Sequence, residues 1–438
     1  MTGRRVLDTV AQVQRDVGAM WTEPVEVTVA PRGTTGDAGA AVLHELVLLP
    51  SAARPRLVAS AGSRAARAAA VARFSHSTGP AGRAARLAVA AAIRTGVADP
   101  LLRDRLRVVT RRGGHVALDG SDSLIAQLGE VFGTDVVVSM PVGAVRANRK
   151  PVLHVLAPGG RTLGFAKLAL SPLAGRLVHA EAANLRALAG HGFRHLELPE
   201  VIHAGTWSGH PLLVMTALAT PLRRYHPASR LPVEAMTELA AVGGTPILPL
   251  GESAWLAALR EPAATPEDRS AERFAELLDR IRDRHGERPV RFGSWHGDWG
   301  PWNMVWAGDR VRLWDWERFA SGVPHGFDAL HYSLPQLPAG TTGAPRLRQL
   351  ATAALAPLGT SAAADAPLVL ALYVAALCAR FLPDSRTEHG GQLRARVASL
   401  LDLLAALVDD AGAGRTVHDG HVAGRPAGAA QGRPGGRP

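Results

Sequence analysis

Two residue types are nearly missing from this 438-residue chain: it has one cysteine, Cys378, and two lysines, Lys150 and Lys167, among 49 basic residues. A single cysteine excludes an internal disulfide framework and any multi-cysteine metal site, and a cytosolic, cytoplasmic protein is the natural reading. The N-terminal MTGRRVLDTVAQVQRD lacks the apolar stretch of a signal peptide. Long hydrophobic runs are lacking too. The longest, APLVLALYVAALCARFL at 366–382, is broken by Arg380 and falls short of the ~20 residues a membrane span needs. It reads as a buried core helix, and no transmembrane segment is expected. The scarcity of lysine gives each one weight. A compact ammonium and a planar guanidinium differ in reach and geometry, so Lys167, in the strand-like GFAKLAL, marks a place where arginine would not fit.

At 438 residues the chain can hold two or three domains, and 47% apolar residues are enough for sizeable cores. Its formal net charge of +11 is concentrated: residues 50–115 hold 13 arginines against Asp99 and Asp104. This stretch reads as a solvated Arg-rich face. Phe74 is its only Phe, Tyr or Trp, too few for a nucleic-acid stacking platform, so no nucleic-acid partner is expected.

The hydrophobic pattern is strand, turn, strand, helix over 40–74, a helix at 81–96 closed by Gly96, a hairpin at 103–119 and a short helix at 121–133. Three strands follow around Gly143 and the turn APGG, then a helix at 176–192 and a buried strand at 210–218. The triplet VLH occurs at 42–44 and 152–154, in the same place of two similar patterns, a possible degenerate repeat. Beyond 219 the pattern is helical, and the Gly/Pro/Ala/Arg-rich 411–438 reads as disordered.

Six of the nine tryptophans fall in SWHGDWGPWNMVWAGDRVRLWDWERF, residues 294–319. The stretch also holds His296, Asp298, Asn303 and Asp315, with a hairpin turn at Gly308-Asp309 that brings Asn303 beside Asp315. Phosphoryl transfer from ATP needs such a set: a carboxylate to accept the proton of an attacking hydroxyl, and oxygen ligands for Mg²⁺ against the phosphates. Asp298 suits the base, and Asn303 and Asp315 the metal ligands. Glu317 is a second metal ligand or a solvent-facing acid, and His296 a structural hydrogen-bonding residue. Upstream, Glu181 follows Lys167 by 14 residues on the next helix, where it can aim the ammonium at phosphates. By strand alternation Trp314 and Trp316 share a face opposite Asp315. Trp295 and Trp306 read as packing residues. Trp299 and Trp302 read as core or as a border of the acceptor site.

Over roughly residues 130–410 the chain resembles the aminoglycoside phosphotransferase and choline kinase-like families. HGDWGPWN is similar to their H-G-D-x-x-x-x-N catalytic loop, LWDWE to their metal-binding strand end, and Asp328 in PHGFDALHY to the structural acid that follows. The resemblance implies an α+β, two-lobed protein-kinase-like fold with a small mixed β lobe and a larger helical lobe; residues 1–120, which it does not explain, read as an extra N-terminal α/β region. It implies an ATP- and Mg²⁺-dependent phosphotransferase acting on a small-molecule hydroxyl acceptor, with Asp298 as base and Asn303 and Asp315 on the metal. Lys167 would contact phosphates, Glu181 would orient it, and Met215, Thr216, Ala217 and Leu218 would receive the adenine. The phosphate-covering loop SMPVGAVRANRK has one glycine, Gly143, where protein kinases have three. The implied division is 1–120, a basic accessory region; 121–218, the N-lobe; 219–410, the helical C-lobe; and 411–438, a tail. The rival reading is a catalytically inactive kinase-like module that binds a partner through its basic N-terminal region.

Overall fold

The computed structural model describes residues 3–410, except 23, 32–40, 75–79, 111–120, 144–149, 220–229, 264–267, 337–342 and 387–390. The expected tail, the Gly-Gly turn of the hairpin at 103–119 and most of the phosphate-covering loop lie outside the described residues.

Fifteen strands are present among these: β1 Val25–Pro31, β2 Val42–Leu49, β3 Leu57–Ser60, β4 Asp104–Thr110, β5 Val137–Pro141, β6 Val152–Leu156, β7 Thr162–Leu168, β8 Leu196–Glu197, β9 Val201–Trp207, β10 His210–Thr216, β11 Ile247–Pro249, β12 Pro289–Trp295, β13 Met304–Ala307, β14 Arg310–Leu313 and β15 Ala320–Pro324. Nine of them form one antiparallel sheet in the order β1-β4-β2-β3-β5-β6-β7-β10-β9. The expected boundary at 120/121 therefore falls inside a continuous sheet, because β3 pairs with β5 through Leu57↔Pro141, Val58↔Met140 and Ala59↔Ser139. The β lobe is built by the N-terminal region and the 121–218 segment together.

The two VLH triplets do not mark a repeat in topology. The strand preceding helix Arg64–Arg73 is β3, and β3 does not touch the return strand β4; the order there is β4-β2-β3. In the second half β7 precedes helix Pro172–Leu188 and pairs directly with the return strand β10.

Sequence signals explain several helix ends. Ser123 caps the helix Leu124–Phe132 by accepting from Ala126 N, and Gly133 closes it in the left-handed conformation at φ 63°. Helix Pro172–Leu188 starts one turn before the expected 176, because Ser171 caps it and Pro172 occupies its first turn. The strand β9 was not expected at all. Ser208 and Gly209, both at positive φ, make the tight turn that folds it onto β10.

The Arg-rich stretch differs from a solvated face. Arg67, Arg105 and Arg107 are buried. Arg67 donates to the Ser60 and Ala61 carbonyls, and Arg107 pairs with Glu45 at 2.7 Å. Several of these charges are thus structural.

The helical lobe holds the largest core, which joins Phe274, Trp299, Trp316, Phe327 and Leu370. Helix Ala366–Ser385 is long and apolar enough to cross a membrane by composition, but 78% of its most apolar window is buried inside this lobe, as a core helix requires.

Burial also gives the β lobe an acid-sensitive residue. His154 in β6 is pushed down to about 3, first by burial and then by the Arg73 charge. Its folded value lies below the ordinary 6.5, so the unfolded chain takes up a proton that the folded chain rejects. The stabilisation is full above pH 6.5 and is lost as pH falls from 6.5 towards 3. Between pH 7.5 and pH 5 His154 alone should cost about 2 kcal/mol. Urea unfolding at the two pH values should show a smaller difference in His154→Gln than in the wild type; equal differences would remove His154 as the cause.

Candidate active site

Lys167 sits in β7 between two neighbours, opposite Val152 of β6 and Leu213 of β10. It is buried, and alternation along β7 places Phe165 on its face of the sheet. Glu181 lies on the buried stripe of helix Pro172–Leu188 with Leu177, Val178 and Leu185, and its exposure is 0%. A carboxylate there must be paired, and it is: Lys167 Nζ donates to both its oxygens, at 2.7 and 2.5 Å. The Trp316 N–H adds a third bond at 3.2 Å. Lys167 Nζ also reaches Asp315 Oδ1 at 2.7 Å. Lys150 pairs with Glu317 and stands 3.9 Å from Asp315 Oδ1. Both lysines of the chain therefore converge on one acidic cluster. The significance of Lys150 was missed in the sequence, although its rarity was the same signal that singled out Lys167.

These charges set one another's protonation. Burial alone would lower the Lys167 ammonium, but the Asp315 and Glu181 carboxylates overturn that and raise it well above its usual range. Burial would raise Asp315, and Lys167 and Lys150 instead hold it well below the usual carboxylate range. Burial raises Glu181, with Lys167 opposing. Asp315 has φ 74°, a left-handed conformation unusual for a residue other than glycine. The bend ends β14 at Leu313 and starts a short 3-10 turn at Trp316. Strand alternation therefore stops before Asp315, and Trp314 and Trp316 do not share a face as expected: Trp316 is fully buried, whereas Trp314 lines the cleft described below.

The second element is the loop after β12. Asp328, at the start of helix Phe327–Ser333, accepts from His296 N at 2.7 Å and Gly297 N at 3.2 Å. Burial pushes the Asp328 carboxyl up to about 7 against these two bonds. Arg380 Nη1 donates to the Gly297 carbonyl at 2.8 Å. Gly297 itself has φ +82°, and a Cβ there would stand 2.4 Å from the Arg318 carbonyl oxygen. Gly297→Ala should therefore cost about 2 kcal/mol or more, read as a lower denaturant midpoint. An unchanged midpoint would mean the loop can relax.

So held, the loop presents Asp298. Asn303 Nδ2 donates to Asp298 Oδ2 at 2.8 Å and to its carbonyl at 2.9 Å. His331 Nε2 lies 3.1 Å from Oδ1, and His331 Nδ1 lies 2.9 Å from the Tyr373 hydroxyl. Burial raises Tyr373, keeping it a phenol. It can then donate to Nδ1 while Nε2–H donates to the carboxylate. His331 had no role in the sequence reading; its place three residues after Asp328, on the same helical face, was the available signal. The Asp298 N–H donates to His296 Nδ1 at 3.2 Å, and burial pushes this histidine down to about 4. His296 is thus a structural neutral imidazole. The β13–β14 hairpin forms with Gly308-Asp309 as its turn, and Trp314 N donates to Asn303 O at 3.0 Å, which brings the Asn303 and Asp315 segments together.

A cleft of about 330 Å³ extends from Lys167 along β7 and β10. Val152, Phe165, Met215, Thr216 and Leu218 line it, as do Trp302 and Trp314. Ala217 is not among the lining residues, and Gly143 stands just before the undescribed 144–149. Trp302 is 49% exposed at the cleft, whereas Trp299 is fully buried with its Nε1–H directed at Met304 Sδ. Of these two tryptophans only Trp302 can border an acceptor.

Residues 165–328 match the model of the phosphotransferase enzyme family APH. The matched segment contains Lys167, Glu181, Asp298, Asn303, Asp315 and Asp328, the residues on which the resemblance was read. No curated protein sequence matches the chain. Among solved structures, a thermostable mutant of aminoglycoside phosphotransferase APH(4)-Ia is 17% identical, with a TM-score of 0.44 over 66% of this chain and 99% of its own. A putative fructosamine-3-kinase from Haemophilus somnus 129PT is 14% identical, with a TM-score of 0.37 over 64% and 96%. An amicoumacin kinase is 14% identical, with a TM-score of 0.40 over 61% and 87%.

Proposed function

We propose that this chain, which carries the phosphotransferase family pattern over residues 165–328, is a kinase that moves the γ-phosphoryl group of ATP to a hydroxyl of a small molecule. The observation that carries the reading is one arrangement: Lys167, braced by Glu181 and Asp315, stands at a cleft beside a loop whose Asp298 is oriented by Asn303 and His331. Asp298 accepts the proton of the acceptor hydroxyl as its oxygen bonds to the γ-phosphorus. The bond from that phosphorus to the β,γ-bridging oxygen breaks, and ADP leaves. Lys167 supplies fixed positive charge to the phosphates.

The donor set fits Mg²⁺. Carboxylate oxygens of Glu181, Asp315 and Glu317 lie within 4.8 Å of one another, and hard oxygen ligands suit this ion. Glu181 is committed to Lys167 and the Trp316 amide, so Asp315, the Asn303 amide oxygen and Glu317 are the residues that would hold the metal. When bound it neutralises phosphate charge.

Thermal or denaturant unfolding with and without Mg-ATP tests this. A nucleotide at 100 times its Kd adds about 2.7 kcal/mol to the folded state. The wild type should show a metal-dependent gain that Asp315→Asn loses. No gain in the wild type would favour the rival, a kinase-like module without turnover.

A further inference from the structure

Residues 1–120, which the family match leaves out, carry the two most exposed large apolar side chains among the described residues. Leu101 is 79% exposed and Val97 75%; the next, Ile247, is at 54%. Single exposed aliphatics are ordinary on a protein surface, but these two are held up together. They sit on the turn that follows helix Pro80–Thr95. The N–H groups of Asp99, Leu101 and Leu102 donate to the carbonyls of Gly96, Ala98 and Asp99 at 3.0, 3.0 and 3.3 Å. The backbone therefore runs in successive helical turns, and Val97 and Leu101, four residues apart, project from one side. Leu102 points the other way, into a core with Ala90 and Ile93. The Asp99 carboxylate fastens the turn to Arg64 at 2.6 Å. The result is a rigid apolar protrusion. Helix Pro80–Thr95 extends it: between residues 81 and 93 every exposed side chain is Ala, Leu or Val, the reverse of an ordinary surface helix, which turns its polar face outward.

The charges around the protrusion have one sign. Both acids of the Arg-rich stretch are engaged by the fold. Asp99 pairs with Arg64 and stands 3.7 Å from Arg67, and Asp104 Oδ2 accepts from Ala52 N at 2.6 Å. Arg54, Arg94 and Arg103 are exposed, and none of the three has an acidic partner among the described residues. Arg94 enters the turn and Arg103 leaves it, with its Nε–H on the Pro100 carbonyl at 3.0 Å. Arg54 lies on the neighbouring turn that Ala52 ties to Asp104. Protruding aliphatics flanked by unpaired arginines fit an anionic lipid bilayer. The aliphatics can enter the acyl boundary while the long arginine side chains keep their guanidinium groups at the headgroup phosphates. A second copy of the chain would set the same arginines against one another. A nucleic acid would find no ring to stack on, since Phe74, the one aromatic of the stretch, lines the cleft.

We infer that residues 94–103 dock this chain peripherally on an anionic bilayer, with Val97 and Leu101 inserted and Arg54, Arg94 and Arg103 on the lipid phosphates. The inference gives the N-terminal region a binding surface of its own and does not depend on the nucleotide reading of the cleft.

The test is co-sedimentation of the full chain with vesicles of phosphatidylcholine alone and of two parts phosphatidylcholine to one part phosphatidylglycerol. The wild type should bind the anionic vesicles at least tenfold more tightly than the neutral ones, and raised salt should release it. The double variant Val97→Ser, Leu101→Ser should bind the anionic vesicles at least tenfold more weakly with an unchanged urea midpoint, because both positions are exposed. A second readout does not rest on that variant. Cys378 is buried, so in Leu101→Cys an environment-sensitive thiol label goes to the new cysteine, and its emission should move to the blue with anionic vesicles and not with neutral ones. A wild type that ignores the anionic vesicles, or binds both kinds equally, overturns the inference. So does a label whose emission does not move while the protein binds, which would place another face on the bilayer. Self-association in sedimentation velocity that the double variant abolishes would make a second copy the occupant and overturn it equally.

Discussion

Replacing Asp298 by asparagine is expected to lower turnover by about 10²–10⁴, the contribution typical of a positioned general base, while nucleotide affinity stays within about twofold. The two side chains have nearly the same shape, so the loop should survive. The amide cannot accept the hydroxyl proton, and its NH₂ would face the Asn303 amide or His331 Nε2, both placed to donate to the native carboxylate. ADP release with a panel of hydroxyl acceptors, read beside titration with a nucleotide analogue, separates the two effects. Turnover within tenfold of wild type would remove Asp298 from the role of base.

The second large effect is on stability. In Lys167→Ala the Glu181 carboxylate, wholly buried, loses its cation and keeps only the Trp316 N–H. Removing one partner of a buried pair costs about 3–5 kcal/mol, and here the lysine was also the partner of Asp315. Chemical denaturation should show this loss. The double variant Lys167→Met, Glu181→Leu should recover much of it, because no unpaired charge is left behind. If the single variant is as stable as wild type, Glu181 is not held as a buried anion. Arginine should not rescue position 167, since β6 and β10 pack it on both sides and a guanidinium is larger and planar.

The contrast between these residues and others explains what could be read from the sequence. Asp298 lies on the loop before the β13–β14 hairpin and Asn303 and Asp315 flank it, so their spacing and the Gly308-Asp309 turn are visible in 18 residues of chain. Lys167 was marked by its rarity. His331 reaches Asp298 from one helix and Tyr373 reaches His331 from another; apart from the spacing of His331 from Asp328, no local pattern links residues so far apart in sequence. The alternation of Trp314 and Trp316 was misread because the positive φ of Asp315 is a property of the folded loop, not a propensity of aspartate. The N-terminal region reads as an accessory region because its strands look like any half-buried hairpin. Which strand they pair with is a long-range matter, settled by three residue pairs between β3 and β5.

Those three pairs carry a practical consequence. A chain shortened to begin at residue 121 would keep every residue on which the family match rests, yet β5 would lose its neighbour and become an outermost strand. Val138 and Met140, both buried, would lie on a newly opened margin with unpaired N–H and C=O groups. Such margins recruit other chains. The shortened protein should therefore self-associate through β5, and its poor solubility would say nothing about the chemistry of the cleft.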